Sequence, residues 1–236
     1  YPFEEGILRL VPAERRAAVD AESQAHEERC ARAGWAVPDE AQFKALPQTG
    51  LEGYLPDHWS GQAAGAALLW RFLEEVRLRK GGPPVGPVGE AAVVGAEMGW
   101  LAYGLDVAGY TTLALDTHAG PGYGLGVYPI ARYLRVQADL NALPLARAAF
   151  DWVILQSGLA RFGDEAAQQH ALGAVLAALR PGAWIAVMDA LAPSAEKMAA
   201  AQALLRAAGL VVEGDSRRAG WRERVWGLRD RLAKRE

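Results

Sequence analysis

The stretch Ala91–Asp116 constrains the fold of this chain more than any other. Ala91-Ala-Val-Val94 reads as a short buried strand. Gly95-Ala-Glu-Met-Gly99 then gives a tight turn, and about Gly99–Ala108 a helix. Gly109 marks a second turn, and Thr111–Leu115 a second buried strand that runs into Asp116. Two continuous apolar strands joined by a helix of this length form a right-handed crossover in a parallel sheet. In open sheets of that kind, ligands bind outside the carboxyl ends of the strands. Gly95, Gly99 and Asp116 all fall there.

The same alternation continues downstream. Strands are expected at about Leu134–Gln137, Phe150–Leu155 and Trp184–Met188, with helices over Asp164–Leu179 and Ser194–Ala208. A short helix is expected before the strand at Leu134, and Arg180-Pro-Gly182 reads as a turn. The close differs. Leu210–Glu213 and Arg224–Leu228 are strands with no helix between them, which makes them antiparallel. The fold class is therefore α/β: a doubly wound, mostly parallel sheet with a C-terminal antiparallel hairpin.

A helical cap precedes this sheet. Tyr1–Pro12 is extended and apolar with a turn at Gly6, and a helix covers about Ala13–Ala33 with only a weak apolar stripe of Leu10, Ala17, Val19 and Ala25. A short helix lies near Glu40–Ala45. A longer one spans about Ser60–Lys80, its inward set being Ala63, Ala66, Ala67, Trp70, Phe72, Leu73 and Val76. Gly81-Gly-Pro-Pro84 ends it, placing a boundary between residues 1–87 (N-terminal extension and cap) and 88–236 (sheet domain).

Bulk properties exclude several function classes. The chain has 236 residues, 51% of them hydrophobic and 22% charged, with a net charge of −3. No global field recruits nucleic acid or an anionic membrane. From Arg217 to Glu236 eight Lys/Arg face three Asp/Glu, which reads either as a solvated hairpin and tail or as an RNA- or phosphate-binding patch. Cys30 is the single cysteine, which rules out an internal disulfide or a multi-cysteine metal site, and the four histidines lack metal-ligand spacing. No apolar run reaches the ~20 residues of a membrane span. With no signal-peptide pattern, the expected location is cytoplasmic.

Taken in order, these features resemble class I S-adenosylmethionine-dependent methyltransferases of the Rossmann-like superfamily. The resemblance covers about Gly89–Leu228. It rests on the Gly95–Gly99 turn, Asp116 and Asp139 at successive strand ends, Asn141-Ala-Leu-Pro144, Phe150-Asp-Trp-Val, and Leu179-Arg-Pro-Gly182. The opening Tyr1-Pro-x-x-x-Gly6-Ile7 also resembles the tail of zinc-ribbon modules that precede some bacterial methyltransferases, without any zinc ligand. An ordinary N-terminal strand reads equally well.

The resemblance implies S-adenosylmethionine as cofactor and a small-molecule methyl acceptor. It also implies a binding set of Gly95, Ala96, Glu97, Gly99, Asp116, Thr117, Asp139, Leu140 and Gln156. Small residues let the backbone approach the methionyl part, Asp116 meets the ribose hydroxyls, Asp139 the adenine amino group, and Leu140 the ring. Gln156 and Ser157 face the transferred methyl. Catalytic residues are not identifiable at this stage.

Two positions depart from the pattern: Val93 stands where an acid is usual, and Glu97 where a glycine is. Glu97 is either the displaced acid or a solvated loop residue; Asp139 is either a ligand or a helix cap. Tyr54, Trp59 and Tyr123 line an acceptor pocket or simply pack. Trp100 is expected in the core and His118 on the surface. The Gly120–Gly126 loop is a lid or a plain connection. The competing reading is a catalytically inactive methyltransferase-like binding or scaffolding subunit. A nicotinamide-dependent oxidoreductase fails for want of Gly-x-Gly-x-x-Gly. A protein partner or a second copy has room on the Ala-rich cap, and nothing points to nucleic acid or a membrane as partner.

Overall fold

The computed structural model describes residues 2–50, 56–79, 88–127, 132–156, 158–188, 195–213 and 225–230. Tyr54, Ser157, the expected 81–84 boundary loop, the short helix before Leu134 (whose approach includes residues 128–131) and most of the basic C-terminal stretch lie outside them.

The elements run β1 (Phe3–Glu4), β2 (Ile7–Arg9), α1 (Ala13–Arg32), α2 (Glu40–Ala45), α3 (Pro56–Arg79), β3 (Glu90–Val94), α4 (Trp100–Val107), β4 (Thr111–Asp116), β5 (Leu134–Gln137), β6 (Phe150–Leu155), α5 (Glu165–Ala178), β7 (Leu179–Met188), α6 (Ala195–Ala207), β8 (Leu210–Glu213) and β9 (Val225–Asp230). They form one sheet of nine strands in the order β1-β2-β5-β4-β3-β6-β7-β9-β8. Strands β5, β4, β3, β6 and β7 are parallel. Strand β9 is antiparallel to both β7 and β8. The expected mostly parallel sheet with its antiparallel close is therefore present. The N-terminal strands do more than precede it: β2 pairs in parallel with β5 and extends the edge.

The period of two along each strand sorts the core into two layers. Ala91 and Val93 of β3 join Ala114, Ile154, Ala186 and Met188 beneath α3 and α4. Ala92 and Val94 join Leu115, Val136, Val153, Leu155 and Ile185 beneath α5 and α6. Phe72 of α3 meets Trp152 and Trp184 edge-on at 5.8 and 5.0 Å, and those two rings stack across β6 and β7 at 5.9 Å. Such pairs contribute about 0.5–1.5 kcal/mol each beyond the area they bury. The buried seam of α3 is Trp59, Gln62, Ala66, Leu69, Leu73 and Val76. Ala67, expected inside, is exposed, because alanine tolerates either face and leaves the helical frame unmarked.

The Arg180-Pro-Gly182 segment, expected as a turn, lies within β7 as an irregularity. Leu179 pairs with Phe150 and Trp184 with Trp152, the register shifting between them, and Gly182 takes the left-handed φ of 76° there. Arg180 donates to Asp151 Oδ2 at 2.9 Å and also to Glu90, while Glu90 N–H reaches the same Asp151 oxygen at 3.0 Å. The Phe-Asp and Arg-Pro-Gly signals are thus two halves of one ion cluster that fixes the starts of β3, β6 and β7.

Candidate functional site

The strand order reverses between β3 and β6, the switch point at which a crevice opens in such sheets. There the β3–α4 turn places three left-handed residues within five: Gly95 (φ 71°), Glu97 (φ 54°) and Gly99 (φ 87°). Gly95 and Ala96 N–H both donate to Leu115 O, at 2.9 and 3.0 Å. Glu97 N–H donates to Asp116 Oδ2 at 2.7 Å. A side chain at Gly99 would collide with the Tyr133 hydroxyl. The outer glycines are therefore required by conformation and, at Gly99, by space. Glu97 holds a conformation that costs an L-residue about 1–2 kcal/mol.

The Glu97 side chain turns toward His58 of α3 and Gln156 at the end of β6. Its Oε2 lies 3.6 Å from His58 Nε2 and accepts from Gln156 Nε2 at 3.4 Å. Burial works against a charged His58, but the Glu97 carboxylate outweighs it and holds the histidine above its ordinary pKa. Gln156 is fully buried, and its Oε1 has no hydrogen-bond partner among the described residues.

Asp116 is fully buried. Its Oδ1 accepts from His118 N–H at 3.0 Å and from Arg161 Nη2 at 2.7 Å, and lies 3.1 Å from His118 Nδ1. Arg161 Nη2 is also 3.1 Å from that ring nitrogen. Burial alone would raise the Asp116 pKa. The Arg161 charge, helped by the bonds from His118, wins and holds it well below the usual carboxylate range.

Asp139, at the next strand end, bonds Arg15 of α1 at 2.6 Å and accepts from Asn141 N–H at 3.0 Å. Arg15 outweighs burial and lowers its pKa too. Thr117 is buried, its carbonyl accepting from Gln137 Nε2 at 3.0 Å. Leu140 packs in the layer beneath α5 and α6.

His118, expected on the surface, is only 6% exposed. The ring of His26 from α1 stacks on it at 4.0 Å. Leu125 N–H bonds its carbonyl at 3.0 Å, and Gly124 packs so closely on that carbonyl that a Cβ would overlap it. The glycine-rich loop is also tied to the cap, Trp35 Nε1 donating to Gly122 O at 3.0 Å. His26 is lowered to about 4, first by burial and then by neighbouring His118.

These groups share one cavity of about 570 Å³, partly open to solvent. It is lined by Glu97, Met98, His118 and Arg161 from the sheet side and by His26, Cys30, Trp35, His58, Trp59 and Tyr123 from the cap and the loop. The size is that of a small-molecule site. Trp59 and Tyr123 do line it, while Trp100 is core, as expected. Of the residues anticipated from sequence, only Glu97 lines this cavity. Arg161, His26, His58, His118 and Trp35 were not anticipated. The spacing Asp116-Thr-His118 was the available signal, since a carboxylate reaches the residue two positions on. Among the described residues no cluster of three or more His, Cys, Asp or Glu is placed to hold a metal ion, and no helix is long and apolar enough to cross a membrane.

No protein-family model matches the chain, and no curated protein matches it. Solved structures do. A provisionally assigned S-adenosyl-L-methionine-dependent methyltransferase from Methanococcus maripaludis superposes with a TM-score of 0.52 at 16% identity, covering 82% of this chain and 95% of that one. The 1,6-didemethyltoxoflavin-N1-methyltransferase of Burkholderia thailandensis, solved with 1,6-didemethyltoxoflavin and S-adenosylhomocysteine, gives 0.50 at 19% identity, covering 93% and 89%. The chain has the fold of the class I S-adenosylmethionine-dependent methyltransferases.

Proposed function

We propose that this chain is an S-adenosylmethionine-dependent methyltransferase acting on a small-molecule acceptor, with the cofactor over the β3–α4 turn. One observation carries the reading. At the topological switch point, a glutamate occupies a left-handed position that glycine would fill without strain, and its carboxylate faces a buried histidine and glutamine in a ring-walled cavity. Strain held at one such residue points to a use for its side chain.

The donor set fits the amino-acid end of the cofactor. The Glu97 carboxylate and the unpartnered Gln156 Oε1 supply acceptors for an ammonium, and Arg161 supplies a guanidinium for a carboxylate. Glu97 thereby takes over from Val93, which is buried among apolar side chains. When bound, the cofactor supplies a methyl group on a cationic sulfur, transferred by in-line displacement. The chain's contribution is to position the partners and keep water out, through Trp35, Trp59 and Tyr123. We assign residues 1–87 to acceptor selection and 88–236 to cofactor binding, with Gly95, Ala96, Gly99, Asp116, Thr117, Asp139 and Leu140 completing the cofactor's surroundings. The small-molecule acceptor is in keeping with the Burkholderia neighbour.

A second reading, a catalytically inactive binding subunit of the same fold, is favoured by one specific feature. Asp116 is sealed by Glu97 N–H, His118 and Arg161, and Asp139 is tied to Arg15, so neither carboxylate is open to a ribose or an adenine as it stands. Calorimetric titration with S-adenosylhomocysteine separates the two. We expect micromolar binding by the wild type and roughly tenfold weaker binding by Glu97→Gln, the loss of one charged hydrogen bond. No binding at millimolar ligand would leave only the second reading.

A further inference from the structure

His118 and Trp59 each present the cavity with a polar atom that the protein leaves unused. His118 Nε2 and Trp59 Nε1 have no hydrogen-bond partner among the described residues, the two residues are only 6% and 3% exposed, and both line the cavity. An unmet buried polar atom costs more than a made hydrogen bond gains, so a pair of them on a cavity wall calls for a ligand that meets them.

The chemistry of the two atoms defines that ligand. Trp59 Nε1–H only donates, so it asks for a carbonyl oxygen or ring nitrogen. His118 is oriented from behind: its Nδ1 lies 3.1 Å from the fully buried Asp116 Oδ1. With the Nδ1 proton directed at that carboxylate, Nε2 is left as a lone-pair acceptor. A buried carboxylate that fixes the tautomer and steadies the imidazolium that forms is the arrangement by which histidines serve as general bases. The His26 ring, 4.0 Å away, holds the imidazole plane. The walls select shape. Trp35 and Trp59 lie 24° from coplanar with centroids 6.4 Å apart, and Tyr123 tilts toward Trp35 at 5.9 Å. Such rings favour offset stacking with another flat ring.

We propose that His118 is a catalytic proton acceptor, positioned by Asp116, for a planar heteroaromatic substrate bearing an ionisable N–H or O–H and a neighbouring carbonyl or ring nitrogen. This rests on the methyl-transfer reading above. The step balances. The acceptor's N–H or O–H bond breaks and its proton goes to His118 Nε2. The bond from that nitrogen or oxygen to the methyl carbon forms, the sulfur–methyl bond breaks, and its electron pair stays on sulfur as the neutral thioether. The imidazolium then returns its proton to water through the open side of the cavity. Asp116 acts here through His118 and is a positioning residue.

The test uses quinazoline-2,4-dione as probe, a flat ring with two N–H groups and two carbonyls, against its 1,3-dimethyl derivative, which keeps the ring and loses both protons. Quenching of tryptophan fluorescence in the wild type should saturate and show the dione binding at least about tenfold tighter, the worth of one satisfied buried hydrogen bond. Nitrogen-15 spectra of the histidine rings should find Nε2 of His118 unprotonated in the free protein and shifted on adding the dione. His118→Asn should bring the two probes to within about twofold of each other. Equal affinities in the wild type, no quenching by either probe, or a protonated Nε2 in the free protein would each overturn the assignment. S-adenosylhomocysteine is titrated in parallel. Binding of that ligand alongside failed discrimination overturns the role of His118 alone, whereas its failure to bind removes the methyl-transfer step itself.

Discussion

At Glu97 stability and function pull in opposite directions. Its φ of 54° is the conformation glycine adopts freely, so Glu97→Gly should stabilise the fold by about 1 kcal/mol in urea unfolding, while S-adenosylhomocysteine binding falls by roughly tenfold or more. If the substitution leaves binding intact, Glu97 is only a turn residue. Histidine 26 gives a pH signature. Its folded pKa of about 4 lies below the ordinary 6.5, so the unfolded chain binds its proton more readily. The stability it contributes is complete above pH 6.5 and is lost as pH falls toward 4. Its neighbours His118, Asp116, Arg29 and Arg161 stay in place in His26→Gln. That variant should therefore lack this component of the wild type's acid sensitivity, about 1–2 kcal/mol once solvent screening of the half-exposed ring is discounted. Thermal melts from pH 4 to 7 read it directly. Glu97 was legible in the sequence because it interrupts a glycine pattern. His118 was not, because what buries it is His26, which sits in α1 and far away along the chain.

At the scale of elements, β1 and β2 show how a short hairpin is pinned to a sheet. Glu5 and Gly6 both have positive φ, 52° and 77°, the turn that suits the twist of a hairpin. Arg135 of β5, itself buried, donates to Glu5 O and to Leu125 O, each at 3.0 Å. It thus joins the hairpin to the glycine-rich loop that floors the cavity. A Cβ at Gly6 would run into the Arg135 guanidinium. Gly6→Ala should cost about 2 kcal/mol or more, read as a drop of several degrees in Tm, and a neutral outcome would mean the hairpin is not coupled to the loop. The Gly6 turn was visible in the sequence, but its docking on β5 was not, since Ile7 pairs with Arg135 across most of the chain. In α1 the apolar stripe is weak because the face it buries is Val19, Ser23 and Cys30, residues chosen for a ligand cavity rather than for a greasy core.

For the whole molecule, the alternation of strands and helices and the antiparallel close were readable from periodicity and turn chemistry, and the strand limits at Leu134–Gln137, Phe150–Leu155 and Leu210–Glu213 coincide with the structure. Strand order and the cavity were not readable. Both depend on which elements meet, and the cavity is built where α1 and α3 cross the carboxyl ends of β3 and β4. The central claim is that this crossing, above the β3–α4 turn, is a cofactor site. Amide hydrogen exchange with and without saturating S-adenosylhomocysteine tests it most directly. We expect slowed exchange concentrated at residues 95–99 and in the facing part of α3 around His58, with the far strands β8 and β9 unchanged. Unaltered exchange at residues 95–99 under saturating ligand would contradict the claim.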